Sequence, residues 1–102
     1  MAIAEVSVVP LGTGSVSVSH YVAGAIAELQ KSGLSFQLTP MGTIIEGSLE
    51  DILTVIRKMH ETPFNQGAQR VYTTIKIDDR RDRKVQMGDK VQSVRKKLDK
   101  KP

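Results

Sequence analysis

Residues 35–59 read SFQLTPMGTIIEGSLEDILTVIRKM, and they decide the fold. Phe36 and Leu38 alternate with Gln37 and Thr39, the period-two pattern of a strand with one buried face. Pro40-Met41-Gly42 supplies a turn, proline setting φ and glycine adding freedom. Thr43-Ile44-Ile45-Glu46-Gly47 continues as a second strand, so the pattern predicts a hairpin of residues 35–39 and 43–47. At Ser48 the period changes. Ile52, Val55, Ile56 and Met59 recur at helical spacing. Ser48 is placed as the N-cap, with Asp51 three residues on in a weak capping box. Pro63 is expected to stop this helix or to follow its end closely.

Toward the N-terminus, AIAEVSVV (residues 2–9) alternates. Ala4, Val6 and Val8 fall on one side; Ile3, Glu5, Ser7 and Val9 fall on the other. Pro10 ends that strand and LGTGS is a loop. Val18, Val22, Ala25, Ile26 and Leu29 then form a helical stripe, with Ser17 or Ser19 expected as its N-cap and Gly33 as the left-handed residue closing it. Toward the C-terminus, NQGAQ is a turn and RVYTTIKID (residues 70–78) alternates again. A last helix is expected at about residues 86–100, its stripe formed by Met87, Val91, Val94 and Leu98.

The order is β-α-β-β-α-β followed by a helix. That is an α+β, ferredoxin-like arrangement with an extra C-terminal helix. Its sheet has four antiparallel strands in the order 4-1-3-2, and each β-α-β crossover is right-handed. One domain is expected over residues 1–102.

Composition narrows the function classes. Hydrophobic residues make up 39% and aromatics 4%, so the core is aliphatic. The chain has no cysteine, which removes disulfides and thiolate chemistry. No apolar run approaches the roughly 20 residues that span a bilayer, and no signal peptide is visible, so a cytoplasmic location is expected. The formal net charge of +4 is unevenly placed. Residues 1–79 carry five Lys/Arg against eight Asp/Glu, a balance of −3; residues 80–102 carry ten against three, a balance of +7. The basicity belongs to the tail.

In this fold the helices cover one face of the sheet. The alternation puts Ile3, Glu5, Ser7, Val9, Gln37, Thr39, Ile44, Glu46, Tyr72, Thr74 and Lys76 on the open face. That mixture fits a sheet-to-sheet oligomer contact enclosing a small polar site. Glu5 and Glu46 come from neighbouring strands, and two close carboxylates call for a cation or a proton between them. The competing reading pairs both with Lys76 or another surface base.

Three segments carry a resemblance. VSVVPLGTGSVSVSHYVAGAI (residues 6–26), GLSFQLTPMGTIIEG (33–47) and GAQRVYTTIKIDDRR (67–81), followed by a helix with KVQSVRKKL (90–98), resemble the small thiamine-binding protein family. PLGT, PMGTIIEG and GAQRV are the specific parts. The resemblance implies a ferredoxin-like chain that pairs through its sheets, commonly as a dimer of dimers. It also implies binding of thiamine or its hydroxymethylpyrimidine part near the sheet interface, without catalysis. Glu46 would then accept from the aminopyrimidine amine or hold its protonated ring. Thr39, Thr43 and Gln37 would add hydrogen bonds. Glu5 or Tyr72 would face the thiazolium cation. Ser7 is placed with them as a ligand-binding residue, and Ser15 and Ser17 could touch the ligand because their loop borders the end of the first strand.

Other signals are weaker. LGTGS has G-x-G but lacks the full dinucleotide fingerprint and the P-loop lysine. His20 and His60 lie on different helices without a helical-spacing partner, so no metal site is expected. No catalytic triad or nucleophile elbow is present, and no cofactor is expected. Asp78, Asp79 and Asp82 interleave with Arg80, Arg81 and Arg83 as self-compensating ion pairs. The basic tail lacks aromatics and a recognition motif, so no nucleic-acid partner is expected. Two alternatives to ligand binding stay open: an oligomeric interaction module without a ligand, and a weak nucleic-acid binder working through the C-terminal helix.

Overall fold

The structure, a computed structural model, describes residues 1–14, 18–82 and 87–99. In chain order the elements are β1 (Ala2–Pro10), α1 (Ser19–Ser32), β2 (Ser35–Thr39), β3 (Gly42–Gly47), α2 (Leu49–Asn65), β4 (Val71–Asp79) and α3 (Met87–Asp99). The sheet order is β2-β3-β1-β4, with every neighbouring pair antiparallel. Read from the other edge this is the expected 4-1-3-2 order.

The core lies between the sheet and helices α1 and α2. Ala2, Ala4 and Val6 of β1 and Ile45 of β3 meet Ala25 and Leu29 of α1 and Ile52, Val55, Ile56 and Met59 of α2. Small alanines on the central strand let the two helices approach closely. Leu29, Ile45 and Ile52 are fully buried, each stabilising the fold by about 1.5–3 kcal/mol relative to exposure.

Several local expectations hold. The Ser48 hydroxyl accepts from the Asp51 amide at 3.1 Å and caps α2. Gly33 takes φ 74° at the end of α1, a left-handed conformation that a Cβ disfavours. Two differ. The residue preceding α1 is Val18, and no side chain caps that helix; Ser19 is already its first residue, and Ser17 lies outside the described residues. Gly42 does not use positive φ. It is the first residue of β3, and a Cβ there would meet the Val6 carbonyl oxygen at 3.1 Å, so close approach to β1 is what requires glycine.

Pro63 lies inside α2, which runs on to Asn65. Proline removes the amide that would donate to the Met59 carbonyl four residues back. The Thr62 hydroxyl donates to that same carbonyl at 2.8 Å, and the acceptor is satisfied. Thr62→Val keeps the shape and deletes the donor. It is expected to cost about 1–2 kcal/mol, measured as a lower urea midpoint at unchanged m-value.

Candidate functional site

The register fixes what shares the open face. Glu46 sits between Ile3 of β1 and Ser35 of β2; Glu5 sits between Ile44 of β3 and Lys76 of β4. The two carboxylates are therefore diagonal neighbours, one ladder step apart, rather than directly opposed. Lys76 Nζ lies 3.8 Å from Glu5 Oε1, so Glu5 has the base partner that the competing reading gave it. Gln37 lies beside Ile44, Ser7 beside Thr74, and Val9 beside Tyr72. Tyr72 is 62% exposed.

The same register leaves a notch. β1 pairs with β4 along its whole length, as far as Pro10↔Val71. It pairs with β3 only from Ala2↔Gly47 to Val6↔Thr43. The hairpin turns back at Pro40-Met41, between Thr39 and its partner Gly42. Gly42, the first residue of β3, comes alongside Ser7, so Val8–Pro10 have no β3 residue beside them. Alternate residues of a strand direct both N–H and C=O to one side, so this bare edge offers backbone donors and acceptors to whatever occupies the notch.

A cavity of about 290 Å³ fills that place. Its apolar walls include Val6, Val8, Val22, Ala25, Leu38 and Met59; Ser7, Thr39, Gly42 and Thr43 supply the polar contacts and the mouth. Residues from both faces of the sheet line it, so the cavity passes through the sheet plane at the notch and opens beside the open face. Its size is near the lower end of the roughly 300–1,000 Å³ typical of small-molecule sites. Clefts of about 320 and 400 Å³ also lie along α1 and α2, but long charged side chains such as Glu28, Lys31, Arg57 and Lys58 line them.

Thr43 is 7% exposed and points to the helix side, opposite Val6. Thr39 is committed to the turn: its hydroxyl donates to the Gly42 carbonyl at 2.8 Å and accepts from the Met41 amide at 3.3 Å. Glu5 approaches the mouth, its Cγ lying 3.4 Å from where a Cβ on Gly42 would stand. The structure thus brings Ser7, Thr39 and Thr43 to the cavity, with Glu5 next to Gly42 on the open face outside it. Gln37, Glu46 and Tyr72 stay on the open sheet, and Ser17 lies outside the described residues. Sequence reasoning missed Val22, Ala25 and Met59 as cavity walls. Their helical spacing showed that they turn inward but not that a gap waits there.

Elsewhere, His60 Nδ1 lies 2.7 Å from the Thr73 hydroxyl. No group of metal-ligating side chains occurs among the described residues. Arg80 forms a two-point ion pair with Asp82, and Arg81 pairs with Asp79. Each guanidinium pKa is raised, first by the hydrogen bond and then by the carboxylate charge. No helix among the described residues is long and apolar enough to cross a membrane.

The chain has relatives by sequence and a solved structure of the same architecture. UPF0045 protein YqgV of Bacillus subtilis (strain 168) is 48% identical over 102 residues, covering 96% of this chain and 98% of that one. A UPF0045 protein of Methanothermobacter thermautotrophicus is 43% identical over 99 residues, covering 96% and 100%. Among solved structures, hypothetical protein MJ1052 from Methanocaldococcus jannaschii superposes with a TM-score of 0.84 at 39% identity, covering 91% of this chain and 94% of that one. A family model described as thiamine-binding protein matches residues 4–95, from the first strand into the last helix. The chain belongs to the thiamine-binding protein family.

Proposed function

We propose that this chain binds a thiamine-type molecule, thiamine or its hydroxymethylpyrimidine part, and performs no chemistry on it. The observation that carries the reading is the cavity at the bare edge of β1. An aminopyrimidine presents a ring-nitrogen acceptor beside an exocyclic amine donor. A strand edge presents N–H donors and C=O acceptors in the same plane. The ring slides in between the aliphatic walls, pairs with the β1 backbone, and meets the Thr43 hydroxyl. In thiamine the cationic thiazolium then extends through the mouth toward Glu5, with Glu46 adding negative charge one step further along the open face. Lys76 tempers the Glu5 charge without removing it, because both side chains keep solvent contact. The open face, with Ile3, Ile44 and Val9 among its polar groups, closes against a second copy and covers the mouth.

Thermal shift tests this. Hydroxymethylpyrimidine and thiamine are both expected to raise Tm saturably. At a hundredfold excess over Kd the stabilisation is about 2.7 kcal/mol. Thr43→Val is expected to weaken both ligands. Glu5→Gln is expected to weaken thiamine and leave the uncharged pyrimidine unchanged. No shift with either ligand at millimolar concentration would overturn the binding proposal. A full shift in Thr43→Val would move the pyrimidine out of this cavity.

A further inference from the structure

A flat heteroaromatic ring needs a surface to lie against, and no aromatic side chain lines the notch cavity. Its polarizable groups are two thioethers. The chain has four methionines, and two of them, Met41 and Met59, border this one cavity. They differ in freedom. Met59 comes from α2 and is 2% exposed, held in the core. Met41 stands at the hairpin tip and is 82% exposed.

The tip fixes the Met41 backbone and leaves its side chain loose. Pro40 sets the chain just before it. The Thr39 hydroxyl accepts from the Met41 amide at 3.3 Å and donates to the Gly42 carbonyl at 2.8 Å. From that anchored backbone extends an unbranched side chain with three rotatable bonds. A lone exposed apolar residue on a turn needs no explanation. A thioether on the rim of an aliphatic cavity that lacks aromatics has one, because sulfur makes favourable contacts with aromatic rings.

We propose that Met41 folds over the ring of the bound ligand as its contact at the rim, and that oxidation of this sulfur weakens binding. The inference rests on the ligand reading above and adds a control to the same site. The oxidant is hydrogen peroxide. The Met41 sulfur attacks one peroxide oxygen, an S–O bond forms and the O–O bond breaks. Sulfur gives up two electrons, and the departing oxygen takes the proton and leaves as water. The product is a sulfoxide, polar and hydrogen-bonding where the thioether was apolar. Water then holds the side chain away from the ring face. Met59 is shielded from the oxidant by its burial. Met1 is 47% exposed but precedes Ala2, the partner of Gly47, at the end of β1 away from the notch.

The test is calorimetry with hydroxymethylpyrimidine on the full chain, before and after mild peroxide treatment, with peptide mass spectrometry to place each sulfoxide. Met41 is expected to oxidise while Met59 does not, and Kd is expected to rise about tenfold. Methionine sulfoxide reductases acting on both epimers should restore the original Kd. The Tm of the ligand-free chain should stay nearly unchanged, since the modified atom is in solvent. Met41→Leu keeps the bulk and loses the sulfur. Its Kd is expected to start two- to threefold higher than wild type and to show no further change with peroxide, which separates Met41 from Met1 and Met87. Saturating hydroxymethylpyrimidine should slow oxidation of Met41 severalfold and leave that of Met1 unchanged. An unchanged Kd with Met41 fully oxidised would overturn the proposal. So would a peroxide effect that persists in Met41→Leu, or oxidation of Met41 that ignores the ligand. Untreated wild type that binds neither ligand overturns the ligand reading as well, whereas binding that survives oxidation overturns this inference alone.

Discussion

Ile45→Ala is expected to cost about 3 kcal/mol, within the roughly 2–5 kcal/mol range for removing a large buried aliphatic group. Ile45 is completely buried on β3. It lies between Ala4 and Phe36 across the sheet and packs in the same cluster as Leu29 and Ile52. The small alanines on β1 cannot fill the space that is left. For a fold of ordinary stability, roughly 5–15 kcal/mol, that is a large fraction. Urea denaturation should show a clear fall in midpoint with a preserved slope. A change below about 1 kcal/mol would mean that this part of the core relaxes around the gap.

Val22→Phe is expected to abolish the ligand-induced shift while leaving the ligand-free Tm nearly unchanged. Val22 lines the cavity from α1 but is 43% exposed. A larger side chain there occupies ligand space without the strain that over-packing creates in a closed core. The variant thus separates binding from folding, as a substitution at fully buried Met59 would not. Thermal shift and calorimetry with hydroxymethylpyrimidine provide the readout. Retained binding in Val22→Phe would place the ligand outside the notch.

Much of the fold was legible because period-two and period-3.6 patterns report which way side chains face. The alternation in residues 2–9, 35–39 and 70–78 gave the strands, and the strand order followed from the connections. The open-face residues follow from the same parity, as the Glu5↔Ile44 and Ile3↔Glu46 pairings show. What periodicity does not carry is where pairing stops. The notch exists because β3 begins at Gly42 while β1 continues to Pro10, a register that no single strand records. Nor does a pattern tell whether an inward-facing residue has anything above it. Ile75 and Ile77 alternate with the open-face residues of β4 and share the face of Val6 and Ala4, yet they are 42% and 43% exposed. Pro63 shows a third limit: a single hydroxyl, that of Thr62, lets α2 pass through a residue that commonly ends helices. The candidate site was legible in part. Thr39 and Thr43 belong to the hairpin that shapes the cavity, whereas Glu46 stands away from it on the open sheet.

The two-residue turn at Pro40-Met41 also acts as a ruler. It sets how far β3 advances along β1, and hence how much of the central strand is left bare. Lengthening each hairpin arm by one residue would carry β3 about 3.3 Å further, alongside Val8, and would shorten the notch by the same amount. Two such steps would occupy much of the space now open to a heterocycle. In a scaffold of this kind the size of the acceptable ligand is written in hairpin length, a quantity that insertions and deletions at an exposed turn can change without touching the core.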